Sequence, residues 1–172
     1  MNPSRSLRAL ALVLLVSSAA CAGAQAQGSA PSNAGVVEEA RAFMDSYARD
    51  LLAGNRAAIA ARYDRRGAYF MGNGQKEFQP YDSIVARYGG PNWSPPASFE
   101  WRDLSFEPAG PDAVIVAGRF AWGRQGREPL TLSYTGFLHR QDGVLRIRLE
   151  DESVDPRAVQ PPAQRDTTSR GG

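Results

Sequence analysis

From Phe99 to Leu149 apolar side chains recur at every second position in four successive runs, separated by polar turns. That period places alternate side chains on opposite faces of a strand, so it commits the second half of the chain to antiparallel pairing. In the first run Phe99 and Trp101 alternate with polar residues. Leu104 and Phe106 then continue in the opposite phase. The slip at Arg102-Asp103 predicts a β-bulge, because one extra residue reverses which face is apolar. Residues 112–123 carry Val114, Val116, Phe120 and Trp122 on one face, and residues 129–139 carry Leu130, Leu132, Tyr134 and Leu138. Asp142-Gly143 is a hairpin signal, and residues 144–150 end the series with Leu145, Ile147 and Leu149 expected to face inward.

The first half has a different period. Val36, Ala40, Phe43, Met44, Tyr47 and Leu51 recur at three- and four-residue steps, the stripe of an amphipathic helix. Ser32 or Asn33 can cap its start, where Glu38 and Glu39 also complement the helix dipole, and Gly54 suits a left-handed end. Asn55 is placed to cap a second, short helix bearing Ile59 and Tyr63. Residues 67–71 read as a short strand, followed by a turn at Gly72-Asn73-Gly74. Pro80 can open a third helix with Ile84, Val85 and Tyr88 on its apolar side. The expected fold is α+β, with N-terminal helices covering one face of a curved antiparallel sheet to form a cone. The open end of a cone is a natural ligand pocket.

The ends of the chain read differently. Arg5 and Arg8 precede an unbroken apolar stretch, Ala9–Val16, and then small residues, which is the pattern of a secretion signal over residues 1–26. Two fates stay open. Cleavage before Cys21, the only cysteine, would leave a lipidated cysteine anchoring the protein to a membrane, which the position of Cys21 favours. Cleavage after Ala24 or Ala26 would free the protein into the periplasm. Residues 27–32 read as a linker and 155–172 as a disordered tail, leaving the folded domain at 33–154. Without Arg5 and Arg8 the chain carries 18 basic and 18 acidic residues, so no basic surface argues for nucleic acid. The sequence holds one histidine and one cysteine, which argues against a metal site; no cofactor is expected.

The helix end YARDLLAGN with the following AAIAARYDRRGAYF, and the paired terminal strands LTLSYTGFLHRQDGVLRIRLEDES, resemble the nuclear-transport-factor-2-like superfamily, in particular its SnoaL-like branch. The resemblance covers about residues 36–153. It implies a cone-shaped fold that hosts isomerases, cyclases, dehydratases and binding modules alike, often as dimers. Ketosteroid isomerase, the family's best-known enzyme, implies three site positions. Tyr47 fits the first. The general base falls near Met71 and the second acid near Thr135, and neither residue titrates usefully, so that mechanism is not expected here.

Candidate residues follow from both readings. Tyr47, Tyr63, Tyr69, Trp101, Phe120, Trp122 and Tyr134 form the aromatic stock of the expected pocket, most of it core. Tyr47, Glu77 and His139 are the catalytic candidates; Asp64, Glu77 and Asp82 are the acids placed near the cone mouth, Asp82 being better explained as a first-turn helix charge. The first expectation is a non-catalytic domain that binds a small apolar or aromatic molecule, or a partner protein, at the cell envelope. The second is an isomerase, cyclase or dehydratase. The third is a homodimerising module whose pocket is filled by its own side chains. An acid inside the pocket would favour the enzyme, and a wholly apolar pocket the binder.

Overall fold

A computed structural model describes residues 33–154. The expected signal, linker and tail, with Cys21, lie outside the described residues. Helix α1 spans Asn33–Ala53 and buries Val36, Ala40, Met44, Tyr47 and Leu51, the expected stripe except Phe43, which is only partly buried at its edge. It ends at Gly54 with φ 67°, the left-handed conformation that glycine adopts without strain. Asn55 caps α2 (Arg56–Ala61) by accepting a hydrogen bond from the Ala58 N–H. Strands β1 (Ala68–Gly72) and β2 (Gln75–Gln79) form a hairpin, and α3 (Tyr81–Gly89) follows Pro80 with Ile84 and Tyr88 buried. Val85, expected on the apolar side of α3, is exposed instead.

Four long strands follow: β3 (Ser98–Pro108), β4 (Ala113–Gly123), β5 (Leu130–Gln141) and β6 (Val144–Val154). They pair antiparallel in chain order. The six-stranded sheet runs β2-β1-β6-β5-β4-β3. The sheet is mixed rather than wholly antiparallel, because β1 lies parallel to β6. Strand β2 was not visible in the sequence. Its residues, QKEFQ, show no apolar alternation because an edge strand exposed on both faces has no core to match.

Two bulges shape the sheet. The one in β3 falls between Arg102 and Ser105, where the phase slip predicted it, with Asp103 at φ 53°. Gly118 opposite it admits the bulged backbone: a β-carbon there would meet the carbonyl oxygens of Arg102 and Asp103 at 2.9 Å. The second bulge lies in β6. Phe137 pairs with Leu149 and Leu138 with Ile147, so Arg148 is the extra residue. Leu149 was expected to face inward with Leu145 and Ile147. The bulge reverses the phase after Ile147, so Leu149 joins Tyr69 and Phe137 on the outer face and Glu150 turns in. The core between α1 and the inner face of the sheet holds Tyr63, Phe120, Tyr134, Leu138 and Ile147.

Candidate functional site

The inward turn of β6 places a carboxyl group where an apolar residue would pack. Glu150 is 3% exposed. It borders a cavity of about 70 Å³ between α1, α3 and the strands. Tyr47 and Leu51 from α1, Arg87 and Tyr88 from α3, and Glu150 and Glu152 from β6 contribute to its wall. The remaining wall is aromatic: Trp93, Phe99, Trp101 and Trp122. The rings hold one another. Trp101 stands 4.8 Å from Phe99 and 4.9 Å from Tyr134, centroid to centroid, and Trp93 stands 5.7 Å from Tyr88. The Trp101 indole N–H donates to the Met44 carbonyl at 3.0 Å, which fixes the ring against α1.

Three tyrosines converge behind Glu150. The Tyr63 hydroxyl donates to Glu150 Oε1 at 2.8 Å. It also lies 3.0 Å from the Tyr47 hydroxyl and 2.7 Å from that of Tyr88. A phenol has one proton and two lone pairs, so with its proton on Glu150 the Tyr63 oxygen accepts from both neighbours. Tyr47 and Tyr88 thus spend their protons inside the wall. Such a chain polarises its last donor toward the carboxyl group. Glu150 Oε2 and the Tyr134 hydroxyl are buried with no hydrogen-bond partner among the described residues.

Electrostatics set the state of Glu150. Burial and then the charge of Glu152 push its carboxyl up to about 8, against the opposing bond from Tyr63 and the field of Arg87. The neutral form of Glu150 is therefore favoured at pH 7. Because Oε1 accepts from Tyr63, the proton sits on Oε2, the oxygen without a partner. A neutral carboxyl with one unspent O–H can donate to a bound oxygen or pass a proton. Burial likewise holds the hydroxyls of Tyr47, Tyr63, Tyr88 and Tyr134 above their usual range, so all four stay protonated.

The predicted residues divide by strand phase. Tyr47, Trp101 and Trp122 line the cavity. Tyr63 stands behind it, and Phe120 and Tyr134 are buried core. Tyr69 lies on the outer face instead, 5.1 Å from Phe78 and under the Arg148 guanidinium. Glu77 is exposed on the edge strand and contributes nothing to the cavity wall. His139 is tied by Nε2 to Asp64 Oδ2, away from the cavity. Asp64, expected at the mouth, is fully buried: it also accepts from the Arg66 backbone and guanidinium and from Gln141. Burial would raise its carboxyl, but the bonds from Arg66 and His139 prevail and hold it well below the usual carboxylate range. This cluster fastens the loop before β1 to β5; it is a structural lock. Asp82 does lie in the first turn of α3. Met71 and Thr135 both register with Asp151, in the outward phase, so the acid in the pocket comes from β6 rather than from either position implied by ketosteroid isomerase. Among the described residues no cluster of three or more His, Cys, Asp or Glu side chains could hold a metal ion.

Sequence reading missed Glu150, Glu152, Arg87, Tyr88, Trp93 and Phe99 as pocket residues. Glu150-Asp151-Glu152 follows an apolar strand as an acidic run, the usual look of a strand leaving the core. Its one signal was the continuation of the alternation into charged residues, which turns inward only if a bulge intervenes.

A helix-backed, bulged, open sheet with a cavity at its inner face is the nuclear-transport-factor-2-like fold. No protein-family model and no curated protein matches the sequence. Solved structures do match. An NTF2-like protein of unknown function from Shewanella oneidensis superposes with a TM-score of 0.60 at 15% identity, covering 67% of this chain and 97% of its own. A second NTF2-like protein of unknown function, from Pseudomonas putida, gives 0.59 at 19% identity, with 71% and 87% covered. A protein from Novosphingobium aromaticivorans provisionally assigned as a scytalone dehydratase gives 0.59 at 11% identity, with 72% and 86% covered. At these identities the likeness is one of fold.

Proposed function

We propose that this domain takes the polar end of a small molecule into the cavity and exchanges a proton with it through Glu150, the chemistry of an isomerase or dehydratase. One observation carries the reading: a buried carboxyl group whose Oε2 has no hydrogen-bond partner among the described residues and whose burial favours the neutral form. Leaving such a group unsatisfied costs about 1–3 kcal/mol, which a ligand oxygen recovers on binding. A pKa near 8 also suits proton transfer near neutral pH, where donor and acceptor forms interconvert readily. The structure assigned provisionally as a dehydratase shares the fold and lends the reading context, not a site.

Binding without turnover is the second reading. It is favoured by the spent protons of Tyr47 and Tyr88, which leave Glu150 as the only buried group of the cavity wall with a proton to give. Native mass spectrometry of the full chain, expressed in its own kind of host, tests the pocket. The expected result is a small-molecule adduct that Glu150→Gln and Trp101→Ala lose, with affinity falling above pH 8 as Glu150 ionises. Bare protein across that range, with no compound in a small-molecule panel moving the tryptophan emission, contradicts both readings. Recovery of a chemically altered ligand separates the enzyme from the binder.

Export belongs to the same proposal. The signal over residues 1–26 and Cys21 would deliver the domain to the periplasm, free or on a lipid anchor. A mass for the mature chain that begins at residue 21 with added lipid supports the anchor. A start at residue 25 or 27 supports the free form.

A further inference from the structure

The cavity holds more unspent polarity than Glu150. Arg87 borders it, with its guanidinium 4.8 Å above the Phe70 ring and 5.8 Å from that of Tyr88. Those stacking contacts position the group from its faces and leave its N–H edge uncommitted, since it makes no hydrogen bond and no ion pair with the described residues. Glu152, exposed at the mouth, likewise has no side-chain hydrogen bond and no ion pair among the described residues. The two opposite charges border one cavity and influence each other's protonation, yet no ion pair joins them. Elsewhere the protein does pair such groups: Arg62 with Asp50, and Arg140 with both Glu39 and Asp112.

A small cavity that presents an unpaired cation, an unpaired anion, a neutral acid and tryptophan faces matches one ligand class. We infer that the ligand of this site is a small zwitterion, an ammonium and a carboxylate on one short frame, as in an amino acid. This rests on the cavity being a binding site as argued above, and adds what binds there. The carboxylate accepts from Arg87 and from Glu150 Oε2–H, charge-assisted bonds that are stronger than neutral ones. The ammonium lies by Glu152 and against the rings of Trp93, Trp101 or Trp122, where cation–π attraction adds to the ion pair. A volume of about 70 Å³ admits such a head group and leaves a larger side chain at the mouth. Burial raises the Glu152 carboxyl against the field of Arg87; ionised beside a bound ammonium it cancels Arg87 next to a neutral Glu150, so neither a simple anion nor a simple cation is matched.

Calorimetry on the full chain at pH 6.5 tests this with three compounds: L-phenylalanine, 3-phenylpropionate, which lacks the ammonium, and 2-phenylethylamine, which lacks the carboxylate. The inference predicts that phenylalanine binds at least tenfold more tightly than either fragment. Arg87→Met should erase its advantage over phenylethylamine, and Glu152→Gln its advantage over phenylpropionate. Both side chains reach solvent, and circular dichroism with thermal melts checks that each variant keeps the fold. If either fragment binds as tightly as phenylalanine, or if the two variants leave the ranking unchanged, the zwitterion assignment is wrong while the pocket stands. If none of the three binds, the assignment is also wrong, and the pocket is then judged by the native-mass experiment alone.

Discussion

At the scale of single residues, the protein's least ordinary feature is a glutamic acid held neutral by its surroundings. Tyr63 is its hydrogen-bond donor. Removing that hydroxyl by Tyr63→Phe strands the Tyr47 and Tyr88 protons and deprives Glu150 Oε1 of its donor. The expected loss is about 2–3 kcal/mol of stability in denaturant titrations, the cost of buried polar groups left without partners. The same change should raise the Glu150 pKa further, because the Tyr63 bond, with the field of Arg87, opposes burial. Asp64 behaves in the opposite sense. Its folded pKa is depressed, so its contribution is complete above the ordinary value near 3.8 and is lost as pH falls below it. Asp64→Asn should cost about 2–3 kcal/mol at pH 7, as loss of a buried, multiply bonded carboxylate does. The gap between variant and wild type should narrow progressively in melts as pH falls below 3.8.

Among the elements, β6 decides what the pocket contains. Its bulge at Arg148 converts an apolar alternation into one that ends on Glu150 and Glu152. Gly72 secures the neighbouring strand: a β-carbon there would collide with the Glu152 carbonyl oxygen, so β1 can lie beside β6 at this point only without a side chain. Gly72→Ala should therefore lower stability by about 1–3 kcal/mol, the usual cost of overpacking, and shift the Glu152 amide resonance. The two bulges also show what a sequence reveals. The bulge in β3 was legible because apolar residues stand on both sides of the slip, Trp101 before and Leu104 after. The bulge in β6 was not, because acids follow it and Leu149 completes a false alternation. The helices, their caps at Asn55 and Gly54, and the inner faces of β4 and β5 were legible because burial imposes a period on them. Strand β2 and the parallel β1–β6 contact were not, since an exposed edge imposes none. For the site, Tyr47, Trp101 and Trp122 could be read from their period. The carboxyl that gives the cavity its chemistry depends on register, which no local pattern encodes.

For the whole molecule these terms combine into one pH profile. Glu150 has a folded pKa of about 8 against an ordinary 4.5, so between those values the unfolded chain has shed a proton that the folded protein keeps. Stability from this group is fully present below 4.5 and falls as pH rises toward 8. With Asp64 weakening the fold at the acid end, these two groups favour mildly acidic conditions, and Glu150→Gln should flatten the decline on the alkaline side while keeping the bond from Tyr63. Thermal melts from pH 3 to 9 on both proteins would show this. The chain's three tryptophans, Trp93, Trp101 and Trp122, all line the cavity, so its emission reports on that one place. The central claim is that Glu150 is a neutral acid inside this cavity at physiological pH, and its own titration tests it most directly. Carboxyl ¹³C NMR of the glutamate-labelled protein should show one resonance titrating near 8 that disappears in Glu150→Gln. If every glutamate instead titrates in the ordinary range near 4.5, Glu150 is charged at pH 7, and the proton-donor role and the zwitterion site that depends on it both fail.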